Sequence, residues 1–175
     1  MILRASVDGL GKLLCCVTCL GALAYAPLSL AGEGTFAVKM LTPEVAATMG
    51  QAAMAHCRRA GYQVAVAIVD RMGVLQFLVR DRFAGPHTVE FATQKAWTAA
   101  SFKMPTATLA AETQPGKPMS GVRANPHVLA IGGGLVIEAA GSMLGGIGVS
   151  GAPGGEADDA CALAGLREVA DTIEF

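Results

Sequence analysis

Two short apolar runs joined by three residues constrain this chain more than any other feature. Gln63 to Asp70 is apolar and β-branched, Arg71-Met72-Gly73 is turn-like, and Val74 to Asp81 returns in the same style. A parallel partner would need a crossover of about a dozen residues or more, so a connection this short makes an antiparallel hairpin. A second pair follows late in the chain. His127 to Glu138 turns apolar around a glycine triplet, Ala139 to Ser142 is a turn, and Met143 to Ser150 is a strand.

Helical patterns surround these pairs. Thr42 is a good N-cap and Pro43 suits the first helical position, which predicts a helix over 43–60 closed by Gly61. Its apolar stripe is Val45, Met49, Ala52, Ala53, His56 and Ala60, and His56 there reads as a core histidine before a ligand. A second helix is predicted over 88–103, ended by Pro105, and Thr106 is placed to cap a short one through Glu112. Residues 113–126 carry three prolines and two glycines and read as an irregular loop. Residues 156–173 form an amphipathic helix with Leu163, Leu166, Ala170 and Ile173 on one face. The order helix, hairpin, helices, hairpin, helix predicts an α+β fold, an antiparallel sheet flanked by helices.

The first residues read as a targeting segment. Leu13 to Ala26 is apolar and uncharged, Arg4 and Lys12 precede it, and Ser29-Leu30-Ala31 supplies small residues for cleavage. This predicts a signal peptide over 1–31, a single domain over 32–175, and a periplasmic or secreted product. The alternative is an uncleaved anchor, which the shortness of the apolar stretch disfavours. Cys15, Cys16 and Cys19 would leave with the signal, so Cys57 and Cys161 remain. They are either paired or buried as free thiols, and free thiols are the reading preferred from sequence. The 13 basic and 14 acidic residues become 11 and 13 without Arg4, Lys12 and Asp8, which leaves no basic patch for nucleic acid.

Gly146-Ile147-Gly148-Val149-Ser150-Gly151 satisfies G-x-G-x-x-G, with Asp171 some twenty residues on. A dinucleotide site needs this motif after a strand and at the opening of a βαβ unit. Here its glycines lie within the strand, and only one helix follows. The stretch Ser150 to Gly155 precedes a helix N-terminus and suits an anion, but Glu156, Asp158 and Asp159 already bring negative charge to that end. Capping is the preferred reading.

Four ordered blocks resemble a known family. They are Val64-Ala65-Val66-Ala67-Ile68-Val69-Asp70-Arg71-Met72-Gly73, then Lys95-Ala96-Trp97-Thr98-Ala99, then Gly132 to Ile137, then Gly145 to Gly151 with Asp158-Asp159. Together they are similar to the GlcG/HbpS haem-binding family, whose relatives include the C-terminal domain of PduO-type proteins. The resemblance implies a profilin-like sandwich, assembly into homo-oligomers, and export in some members. It also implies haem binding, sometimes with haem breakdown, whereas other members accompany glycolate or diol metabolism. Leu135 stands where the family has proline, and Trp97 where it has arginine. His87 and His127 lie outside the family pattern.

Haem needs an axial donor, apolar walls and cations for its propionates. With the family's ligand in view, Arg82-Phe83-Ala84-Gly85-Pro86-His87 gathers these, and His87 is the candidate iron ligand. Phe83, Phe91 and Trp97 offer flat surface, Arg80 or Arg82 a propionate partner, and Lys95 shares the Phe91 helix face. Thr98 completes the candidate binding set, with His127 the second candidate ligand and Met104 a soft one. The competing reading makes His87 a helix-end residue and Phe91 core. Two other functions stay open. One is binding or conversion of a small 2-hydroxy acid or diol-pathway metabolite by Lys95, Asp70 and Thr98, with Lys95 pairing structurally as its rival explanation. The other is a non-catalytic oligomeric partner protein. No Ser-His-Asp order or carboxylate pair selects a reaction.

Overall fold

A computed structural model describes residues 34–173, and the segment read as a signal peptide lies outside the described residues. The compact unit begins at Val38. Its elements are α1 (Pro43–Arg59), β1 (Ala65–Asp70), β2 (Leu75–Arg80), α2 (His87–Phe102), α3 (Thr106–Glu112), β3 (Gly134–Ala139), β4 (Ser142–Ser150), α4 (Gly155–Glu168) and α5 (Ala170–Ile173), with a 3-10 turn over Ser120–Ala124. The strands form one sheet in the order β2-β1-β4-β3. Every neighbouring pair is antiparallel. The expected α+β class, with helices flanking an antiparallel sheet, is the fold observed.

Each face of the sheet has its own core. On β1, Val66 and Ile68 point into a large cluster with Met49, Met54, Ile137, Leu144, Ile147 and Val149, beneath α1 and α4. Full burial of side chains of this size contributes about 1.5–3 kcal/mol each. Ala65, Ala67 and Val69 point the other way, onto Ala92, Ala96 and Ala100 of α2. This second core is built from small residues because α2 lies almost on the backbone of β4. A Cβ added at Gly148 would sit 2.0 Å from the carbonyl oxygen of Ala92, and one at Gly146 would sit 2.3 Å from that of Ala96. The glycines that mimic a nucleotide fingerprint are thus the seat of a helix.

Several local expectations are corrected. Cys57 and Cys161 are not free thiols: they form a disulfide between α1 and α4, with Cα atoms 5.5 Å apart. Their 104-residue separation hid a contact that only the packing of the two helices creates. The buried face of α1 is Ala46, Met49, Gly50, Ala53, Met54 and Cys57, turned from the predicted stripe so that His56 is only half-buried. The last helix breaks at Val169, and its α4 part buries Cys161, Ala162 and Gly165 while Leu163 is exposed. Thr106 does not cap α3. Its hydroxyl instead accepts a hydrogen bond from Gly134 N at 2.9 Å, pinning the start of β3.

Gly148→Ala should destabilise the fold by about 2–4 kcal/mol, because backbone on both sides must move. Gly121→Ala, where a Cβ meets nothing within 4 Å, should change it by less than about 0.5 kcal/mol. Urea unfolding of both variants measures the contrast.

Candidate functional site

The loop between β2 and α2 is tied down from its first residue. Asp81 is buried, and its carboxylate accepts from Arg58 Nε at 2.7 Å and Nη2 at 3.0 Å. The Asp81 backbone nitrogen donates to Val64, and its carbonyl accepts from Ala84 N. The Arg58 bonds hold the Asp81 carboxyl below its ordinary range, against the opposing effect of burial. Arg80 donates through Nη1 to the Ala84 carbonyl. At the far end Thr88 returns both its backbone N–H (3.1 Å) and its hydroxyl (2.6 Å) to the Gly85 carbonyl. Nothing local in sequence marks Arg58 and Asp81 as partners, since they lie 23 residues apart.

His87 opens α2 on this fixed loop, with Pro86 as N-cap. Its imidazole is exposed, packs on Gly85, and stands edge-on to Phe91 with ring centroids 5.4 Å apart. In the same loop Phe83 is 80% exposed, and Arg82 is exposed. The Arg82 side chain makes no hydrogen bond or ion pair among the described residues, whereas its backbone N–H is held by Asp81. The structure therefore brings His87 and Phe91 together, with Phe83 and Arg82 exposed in the loop that leads to them. The α1/α4 groove, the β3/α4 hollow and the α3/α4 cleft are lined by other residues.

The remaining candidates lie elsewhere on α2. Residues 126–129 cross its outward side, where Gln94 donates to the Pro126 carbonyl at 3.2 Å. Leu129 N donates to the hydroxyl of Thr98 at 3.0 Å, and Thr98 is fully buried. His127 is exposed against Trp97, with centroids 5.8 Å apart. Trp97 in turn rests on Gly73 of the first hairpin. From His87 to Trp97 is about 15 Å along the helix at 1.5 Å per residue, so the two histidines belong to separate surfaces.

Lys95 points into the protein. Its Nζ donates to Asp158 Oδ2 at 2.7 Å and to the Val149 carbonyl at 2.9 Å, with both side chains nearly inaccessible. Asp158 Oδ1 also accepts from Ala152 N at 3.0 Å. Burial raises the Asp158 pKa, and Lys95 opposes that rise. Gly133, at φ +115°, leaves room for the ammonium: a Cβ there would lie 2.7 Å from Nζ. Asp158 thus reaches back to the β4 end instead of capping its own helix, and α4 starts at Gly155, behind Gly154 as N-cap, without a side-chain cap. The set Lys95, Asp70 and Thr98 does not converge. Asp70 lies at the opposite end of β1, its carboxylate accepting from Met72 N and Val74 N in the hairpin turn.

Asp158→Asn should cost about 3–5 kcal/mol by stranding the buried Lys95 ammonium, and Lys95→Met in the same chain should recover much of it. A double-mutant cycle in urea reads this coupling. A near-zero coupling would return Lys95 to the list of ligand groups.

Residues 41–167 match the family described as haem degrading protein HbpS-like. A double mutant of HbpS from Streptomyces reticuli is 35% identical, with TM-score 0.73 over 82% of this chain and 97% of that one. The structure of a PduOC–haem complex is 28% identical, with TM-score 0.70 over 74% of this chain and 95% of that one. Corrinoid adenosyltransferase PduO of Citrobacter freundii is 36% identical over 90 residues, which is 50% of this chain. The match takes in only 27% of that longer relative. With the family matched over most of its described residues and the same fold in relatives of this identity, the chain belongs to the haem degrading protein HbpS-like family.

Proposed function

We propose that this protein binds haem on the surface formed by the 81–87 loop and the first turns of α2, with His87 as the iron ligand. The observation that carries the reading is an exposed imidazole held in place by Gly85 and Phe91, in the same loop as an exposed Phe83 and an exposed Arg82. These are the donor, the apolar wall and the cation that haem requires. The relatives named above, one of them a haem complex, support the same ligand.

Bound haem supplies a redox-active iron, and the chain supplies its position. Arg82 is the propionate partner in preference to Arg80, whose guanidinium is spent on the Ala84 carbonyl. Phe83 and Phe91 give the flat apolar contact. Lys95 and Thr98 drop out of the ligand set, because the polar atoms of both are engaged inside the protein. Sequestration, sensing and breakdown of haem all begin with this binding step.

A second copy of the chain completes the site in this proposal. Leu75 and Leu78 on the edge strand β2, with Met72 and Val74 in the turn before it, are exposed and give such a copy an apolar seat. The Cys57–Cys161 disulfide supports an exported product, since disulfides persist in oxidising compartments.

Haemin titrated into the purified protein should give a shifted Soret band that weakens at least about tenfold in affinity in His87→Ala, and less in His127→Ala. An unchanged titration in His87→Ala would remove His87 from the role. N-terminal sequencing of the exported protein should begin at Gly32, and a start upstream of Ala31 would overturn the cleavage proposal.

A further inference from the structure

The cleft between α3 and the start of α4 has no part in the haem surface. Its volume is about 390 Å³, and its lining includes Ala110, Gln114, Arg123, Ile131, Glu156 and Asp159. Pockets of small ligands begin at about this size. Arg123 is fixed on one wall. Its Nε donates to the carbonyl and hydroxyl of Thr113 at 2.8 and 2.9 Å, and its Nη2 donates to the Ala110 carbonyl at 2.8 Å. Nη1 has no partner among the described residues.

Asp159 stands on another wall. Its Oδ1 accepts from Gly133 N at 2.6 Å, and its Oδ2 lies against Gly132 with no donor among the described residues. Burial raises this carboxyl's pKa, and the neighbouring charges of Asp158 and Glu156 add to the rise. The Gly133 hydrogen bond and the Lys95 charge pull the other way. Such a group gains from a cation placed beside it. Arg123 lines the same cleft as Asp159 and Glu156, yet it pairs with neither. The Arg123 guanidinium and the Asp159 carboxylate are each fixed by bonds that belong to the fold, on the lining of one ligand-sized space.

We propose that this cleft binds a small aliphatic α-amino acid. The carboxylate meets Arg123 Nη1, the ammonium meets Asp159 Oδ2 and Glu156, and the side chain lies on Ala110 and Ile131. Two carboxylates outnumber one guanidinium here, so a simple acid leaves the acidic side uncompensated. A zwitterion answers both walls. The site rests on different residues from the haem surface, so either assignment stands or falls alone.

The test is calorimetric titration of the full-length protein with L-alanine, L-valine and L-leucine, each beside its 2-hydroxy acid and its decarboxylated amine. At least one amino acid should bind at one per chain, and both of its analogues should bind about tenfold more weakly or worse. Asp159→Asn, which keeps an acceptor for Gly133 N, and Arg123→Gln should each weaken binding by about tenfold while leaving haemin titration unchanged. Where Arg123→Gln fails to fold, Asp159→Asn and the analogue series decide. No heat from any of the three amino acids overturns the proposal, as does equal binding of the 2-hydroxy acid.

Discussion

The fold depends on a helix resting directly against strand backbone. Gly146 and Gly148 let α2 descend until the carbonyls of Ala92 and Ala96 nearly touch β4, and Ala65 and Ala67 keep the neighbouring strand equally low. Small residues on both sides bring backbones close, and interior packing is dense enough that one added methyl is felt. Because α2 cannot ride higher or slide freely, both of its ends are placed by the sheet. His87 is thereby held over the Asp81 loop and Trp97 over the first hairpin turn, with Lys95 at the open end of β4.

Lys95 then joins layers that the sheet would otherwise keep apart. α2 and α4 cover opposite faces, and the Lys95–Asp158 pair meets around the last residues of β4. Two buried charges are costly unless their remaining bonds are satisfied. Here the Val149 carbonyl and Ala152 N each add a bond to the pair, and Gly133 leaves the ammonium room. The neighbouring Asp159 bonds the same glycine run, so the wall of the α3/α4 cleft is set by the network that seats α2. The disulfide does comparable work on the other side, where α1 meets α4.

Period and turn chemistry made the elements legible. The Arg71-Met72-Gly73 connection forced one hairpin, and Thr42-Pro43 marked a true helix start with Thr42 accepting from Val45 N. The glycines of Gly146 to Gly151 were also readable as strand, and they lie in or at the end of the antiparallel β4. What stayed hidden was long-range. The Cys57–Cys161 bond, the Arg58–Asp81 pair and the Thr106 bond to Gly134 each join residues whose nearness exists only after packing. Lys95 shows the limit within one residue: its helix position was readable, but whether it faced ligand or carboxylate was decided by α4. His87, Phe83 and Arg82 sit on six consecutive residues, and chain connectivity alone keeps them together.

The strand order has a consequence for how the molecule comes into being. β1 lies between β2 and β4, so a strand made early is completed by one made some eighty residues later. Until β4 arrives, β1 has an unpaired edge and two greasy faces, and α1 has no α4 to pack on. Folds dominated by such distant pairings close slowly, because chain entropy must be lost before any contact rewards it. A partly synthesised chain therefore has no native stopping point before β4, and the sheet commits to its shape only when β4 is present.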